Sequence, residues 1–283
     1  MTSSLRVDHA PPIDAPVRIE GTVGWKERHG RSVLVLVLRV LTLVVAIVAW
    51  QLTAGHLIGI LFVSKPTLVW NQLKAWAESG ALWSNSWVTI KEILIGYAFG
   101  AGAGVALGFA LSLTRVLASV LDPFVMGLYA IPKVALAPLF IVWFGIGLEM
   151  KVILAAVTVF FLVFLNTTAG IKQVDDNLID AARLMGASTP QLILKVVLPG
   201  SMAGVLTGLR IAIPYALIGA VIGELVASNQ GLGYLINDSA STLNTAGVYA
   251  ALVALTVIAA VLNAVVNILG RWTDRWRPND QAR

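Results

Sequence analysis

Cysteine is absent from this 283-residue chain, charged residues make up only 12% of it, and histidine occurs three times. The first absence excludes disulfides, zinc–thiolate centres, iron–sulfur clusters and cysteine nucleophiles together. The shortage of charge excludes a water-soluble globule, since ordinary soluble domains carry roughly 25% charged residues. It excludes a disordered chain as well, because such chains are polar and charge-rich. His9, His29 and His56 are scattered and make no metal site. No G-x-x-x-x-G-K-[ST] run occurs and no glycine is followed directly by lysine, so the chain has no P-loop to cradle nucleotide phosphates. G-x-G-x-x-G and H-E-x-x-H runs are missing too, and no spacing of Ser, Asp or Glu nominates a nucleophile and its base. We expect no catalytic residue, no metal and no cofactor on this chain.

Apolar residues are what it has: 58% of the chain, with a mean hydropathy of +0.83. That composition requires a membrane, and the expected fold is all-α with one membrane domain. The net charge of +5 does not point to nucleic acid, because the basic residues cluster at segment ends, where membrane orientation needs them.

About 20 apolar residues at 1.5 Å each cross the roughly 30 Å hydrocarbon layer. Residues 1–32, with Pro11, Pro12 and Pro16, read as a mobile tail ending in Lys26, Arg28 and Arg31. Six spans follow, at about 33–52, 87–113, 121–147, 151–168, 206–226 and 249–269, within a membrane domain over 33–270, and residues 271–283 form a basic tail. The first run is longer than a signal peptide's apolar core and lacks a clean cleavage site, so it reads as a retained helix. A short amphipathic piece is expected near Pro66–Trp76. In the second span Gly96, Gly100, Gly104 and Gly108 stack on one face, as close helix packing requires. The third stretch contains Pro123, Pro132 and Pro138, so an unbroken helix is not expected there. With the N-terminus inside, thirteen of the twenty Lys and Arg residues fall on the cytoplasmic side, four outside (Lys65, Lys74, Lys91, Lys151) and three within spans. That asymmetry predicts both termini cytoplasmic.

The longest connection, about 170–200, lies on the cytoplasmic side. Asp175 or Asp176 is placed to cap a helix running to about Met185, and Gly186 suits the left-handed position just past its end. Ser188 then caps a second helix with Pro190 in its first turn. The expected helix–turn–helix carries Ala181, Ala182, Leu184 and Met185 toward water, either as a knob for a groove on another protein or as a simple amphipathic surface helix.

Asp180-Ala-Ala, three residues, Gly186 and then Leu198-Pro199 resemble the coupling loop of binding-protein-dependent ABC importer permeases, with Asp in place of the usual Glu. Pro132-Lys-Val-Ala-Leu-Ala-Pro138-Leu-Phe-Ile-Val-Trp143-Phe-Gly-Ile-Gly147 and Gly231-Leu-Gly-Tyr-Leu-Ile236 resemble the nitrate/sulfonate/taurine branch, and the likeness covers roughly 45–275. In Val63-Ser-Lys-Pro66 only one of the branch's two common prolines remains. The resemblance implies a type I importer permease with six spans in a bacterial cytoplasmic membrane. It implies a homodimer, two separate ABC ATPase subunits that hold ATP and magnesium, and an external solute-binding protein. Asp180, Ala181, Ala182, Arg183, Gly186 and Ala187 would then form the ATPase contact. ATP-driven alternating access would carry a small solute inward. Sulfonate, taurine, nitrate, an aromatic carboxylate and a thiamine-precursor pyrimidine all remain open.

Charges inside spans are costly and face the bundle interior or water. On that ground Lys133 is expected to line or gate the pathway, and Arg210 either lines it or reaches back to the headgroups. Glu224 reads as an external gate, a packing anchor or an interfacial carboxylate. Trp143 and Tyr215 line the route or pack in the core. Lys133 and Arg210 together suit an anion. An ion-coupled secondary transporter is the alternative from another class; it calls for half-membrane repeats and midplane carboxylates that the sequence does not display.

Overall fold

A computed structural model describes residues 25–56, 59–112 and 115–274, so most of both expected tails lies outside the described residues. The chain divides into two units, Met1–Trp50 and Gln51–Arg283. The first unit is built on helix α1 (Trp25–Thr53). α1 starts eight residues before the expected Val33, so Lys26, Arg28 and Arg31 are helical rather than part of a tail. No proline lies between Pro16 and Thr53, and Lys, Glu and Arg are good helix formers that extend an apolar helix into its polar flank.

The second unit contains α2 (Pro66–Glu78), α3 (Ala81–Ser112), α4 (Arg115–Ala130), a 3₁₀ turn (Lys133–Leu136) and α5 (Ala137–Phe144). It continues with α6 (Leu148–Lys172), α7 (Asp176–Leu184), α8 (Thr189–Leu192), α9 (Leu198–Val226), α10 (Leu232–Ser241) and α11 (Thr245–Asp274). Five described helices are long and apolar enough to cross a membrane, and six if the bent stretch 118–144 counts as one span. That stretch turns by 81°. Pro132 has no N–H to continue the helix and pushes Ile131 out of the helical region, while Pro138 sits in the first turn of α5, where a missing N–H is harmless.

The core is a three-helix sandwich with α6 at its centre. α3 runs parallel to α6: a Cβ placed on Gly104 would come within 2.9 Å of the Val163 Cβ, and one on Gly108 within 2.8 Å of the Thr167 methyl. α9 runs antiparallel on the other side, where Gly208, Gly219 and Gly223 meet Asn166, Ala155 and Lys151 in turn. Ala155, Val159, Val163, Ala212, Ala216 and Ala220 fill the space between. Lipid tails are as apolar as leucine, so burial alone does not drive this association. Close backbone approach, and the dispersion contacts it permits, do. A second layer forms where Leu232 and Leu235 of α10 pack on Ala251 and Leu255 of α11, with Trp76 of α2 against them.

One boundary differs in kind from the sequence expectation. The second helix of the 170–200 connection does not stop before a separate fifth span at 206–226; residues 189–226 form one continuous helical run. A widened turn over Ile193–Val197 joins the two parts, with the Leu198 amide donating to the Ile193 carbonyl. Pro199 lies just beyond, and its ring would clash with the carbonyl one turn back in a regular helix. The wider turn accommodates it without ending the helix.

Candidate functional site

Two polar regions lie at opposite ends of α6. At its C-terminal end, the Asp175 carboxylate accepts from the Asn177 amide at 2.9 Å and caps α7. α7 closes in a double hydrogen-bonded turn: the Gly186 amide donates to the Arg183 carbonyl at 2.9 Å, and the Ala187 amide to Ala182 at 3.0 Å. Gly186 has φ +84°, and a Cβ there would meet no neighbour within 4 Å. Glycine is required by the backbone at this point, and not by crowding. Past the turn, the Ser188 amide donates to the Gln191 side chain at 2.8 Å, which starts α8.

This turn holds apolar side chains away from the chain's own core. No residue of α7 is buried, and Leu184 and Met185 are 90% and 81% exposed. Ala181 is exposed, while Ala182 and Ala187 are half-buried. Asp180 and Arg183 pair with each other at 3.5 Å on this surface. An exposed pair of this kind contributes little to stability. Both line a cavity of about 980 Å³ between α7 and Asp122 of α4.

At the other end of α6, the Lys151 ammonium forms an ion pair with Glu92 and donates to the Ser228 hydroxyl at 3.1 Å. Lys151 is therefore inside the helix bundle, 6% exposed, and not in the aqueous loop to which the charge count assigned it. Glu224 accepts from the Thr89 hydroxyl at 2.7 Å and from the Gly233 amide at 2.6 Å. The Leu232 amide donates to Thr89 at 2.9 Å, and the Gly231 amide to Asn85 at 2.7 Å. The first amides of α10, which no residue within the helix satisfies, are thus capped by side chains of α3 and α9. Gly231 has φ +108°, and a Cβ on it would overlap the Glu224 carboxyl group. This is the local reason for the Gly231-Leu-Gly233 sequence. Glu224 itself is fully buried and joins α3 to α10 through these hydrogen bonds.

The remaining expected pathway residues do not gather around it. Half-buried Lys133 donates to the Tyr129 carbonyl, with its ammonium 4.4 Å from the Tyr129 ring centre and 5.2 Å from that of Phe161. Trp143 is exposed, with its ring edge-on to Phe144 and tilted against Phe140. Tyr215 is 41% exposed, and Arg210 is half-buried. Arg210 and Glu224 are fourteen positions apart on α9, about 21 Å at 1.5 Å per residue. They cannot grip one small molecule together.

Asn85, Thr89, Glu92, Lys151 and Ser228 were not singled out in the sequence. The signal was present for three of them, because Asn85, Thr89 and Glu92 continue the stripe of Gly96, Gly100, Gly104 and Gly108 at helical spacing. A polar start to a packing stripe marks groups that must meet partners inside.

The comparisons with known proteins agree with this architecture. Residues 98–277 match the family described as binding-protein-dependent transport system inner membrane component. The chain belongs to that family. It is an ABC importer permease subunit and a multi-pass membrane protein. It is 32% identical, over 82% of its own length and 85% of the relative's, to SsuC of Bacillus subtilis, named for aliphatic sulfonate transport. RibX of Chloroflexus aurantiacus, named for riboflavin transport, is 34% identical over 83% of this chain and 88% of its own. Among solved structures, a permease chain of the MetNI methionine ABC transporter superposes with a TM-score of 0.61 at 21% identity, over 69% of this chain and 97% of that one. At that identity the likeness speaks for the fold alone, which is that of a type I importer permease.

Proposed function

We propose that this permease carries a small organic or inorganic anion, such as a sulfonate, taurine or nitrate, into a bacterial cell by ATP-driven alternating access. Two copies form the pathway in the inner membrane, with both termini and the 173–197 loop on the cytoplasmic side. An external binding protein delivers the solute. Two ATPase subunits bind ATP and magnesium and receive α7, whose movement is passed up α6 and α9. The permease forms no covalent intermediate. The observation that carries the reading is the rigid turn at Gly186, which presents Leu184 and Met185 almost fully to solvent. Two large apolar side chains held out on a capped turn are suited to a groove on a partner. The exposed Asp180–Arg183 pair is free to exchange its partners for charges on the ATPase.

A nitrogen heterocycle is the second reading, favoured by the riboflavin name of the relative at 34% identity. Substitution at Gly186 tests the coupling. Because its surroundings are open, Gly186→Trp leaves the permease's own packing alone apart from backbone strain, and Gly186→Asn adds a side chain that tolerates the left-handed turn. We expect Gly186→Trp to insert normally but to lose solute uptake and stop co-purifying with the ATPase, while Gly186→Asn keeps part of both. Uptake at the native level in Gly186→Trp contradicts the assignment.

A further inference from the structure

Two sequence motifs that the coupling scheme leaves without a task, residues 132–147 and 231–236, converge beside Lys151. The turn that ends the first motif and the turn that precedes the second both line a cavity of about 350 Å³. Its lining includes the buried Glu92–Lys151 pair, the exposed Lys91, and Ile146, Leu148, Ser228 and Gln230.

The chemistry of this lining selects a ligand class. Two ammonium groups, Lys91 and Lys151, line the cavity against the one Glu92 carboxylate, while the buried Glu224 carboxyl lies outside the lining and is held by Thr89 and the Gly233 amide. Glu92 is offset by Lys151, so it does not repel an incoming anion with a full charge. Of the three N–H donors an ammonium carries, Glu92 and the Ser228 hydroxyl, at 3.1 Å, take two. Ser228 also donates to the Gln230 carbonyl at 2.6 Å, which fixes the turn and the hydroxyl's lone pairs toward Lys151. Ile146 and Leu148 add an apolar wall for a short hydrocarbon part. The volume lies in the lower range of small-molecule sites.

We infer that this cavity binds the oxyanion head of a small organic acid, a sulfonate or a carboxylate, between Lys91 and Lys151. The inference deepens the transport reading and rests on it: the cavity lies at the end of α6 opposite the ATPase-binding turn, on the side where the solute arrives. In this arrangement Lys91 attracts the anion, and Lys151 receives it next to the turn leading into α10.

Fluorine NMR of the full-length permease in lipid nanodiscs tests this without any partner subunit. The probes are trifluoromethanesulfonate and trifluoroacetate, with trifluoroethanol as a neutral control. We expect saturable broadening of both anions, displaced by ethanesulfonate, and none for the alcohol. Lys91→Gln should weaken binding about threefold, as loss of one solvent-exposed charge does, and Lys91→Glu should weaken it further. Lys74→Gln, whose site is exposed and outside the cavity, should bind as the native chain does. Lys151→Met risks misfolding, so Ser228→Ala reports on the lining instead, with an expected loss of affinity. Absence of saturable anion binding, or equal binding by the native chain, Lys91→Glu and Ser228→Ala, overturns the site. Failure here alongside intact ATP-driven uptake rejects the cavity alone; binding without ATP-driven uptake rejects the transport scheme alone.

Discussion

Glu224 shows how much one side chain organises. Its carboxylate meets a hydroxyl from α3 and an amide from α10, and a glycine is needed at 231 because nothing larger fits against it. Removing the carboxylate leaves the Gly233 amide without its acceptor and Thr89 with only the Asn85 carbonyl at 3.2 Å, at a cost of about 1–3 kcal/mol. We predict that Glu224→Ala and Gly231→Ala each lower the thermal midpoint in detergent, and that the double variant loses less than the sum. Strict additivity would mean that the two positions do not interact. The sequence displays Glu224 as a charge near the end of a span, which leaves open a gate, an anchor or an interfacial group. Its partner Thr89 lies 135 positions away, and no local pattern links the two. Gly186 is the opposite case: cap, turn and second cap are all local, so Asp175, Gly186 and Ser188 reveal the loop's geometry before any tertiary contact is known.

At the scale of elements, the glycine stripe of α3 was legible as a packing face because its spacing alone defines it. The identity of the facing helix was not, since α6 carries no comparable stripe and meets α3 with Val159, Val163 and Thr167. The continuous helix through Pro199 was also hidden, because a proline ordinarily signals a stop and the widened turn that rescues it has no sequence mark of its own. The α3–α6 contact has a direct test. Gly104→Leu forces a side chain where a Cβ already lies 2.9 Å from the Phe160 carbonyl and from Val163, whereas a Cβ on Gly102, two positions away, meets nothing within 4 Å. Gly104→Leu should sharply reduce the yield of folded protein in the membrane, and Gly102→Leu should not. Equal yields would contradict this packing.

For the whole molecule, composition alone sufficed to establish a membrane protein, and the bend at Pro132 was foreseeable from proline chemistry. The buried polar groups were not, because the pairing of Glu92 with Lys151 and of Glu224 with Thr89 depends on which helices lie beside one another. The two ends of α6 therefore carry different kinds of information: a local, solvent-facing turn at one and a buried, long-range network at the other. The central claim is that the first converts work done by a separate ATPase into movement of the second. Uptake of labelled ethanesulfonate into sealed proteoliposomes, with and without the ATPase and binding-protein subunits, measures this most directly. We predict accumulation only with all subunits and hydrolysable ATP present. Accumulation by the permease alone, driven by an ion gradient, would contradict the account.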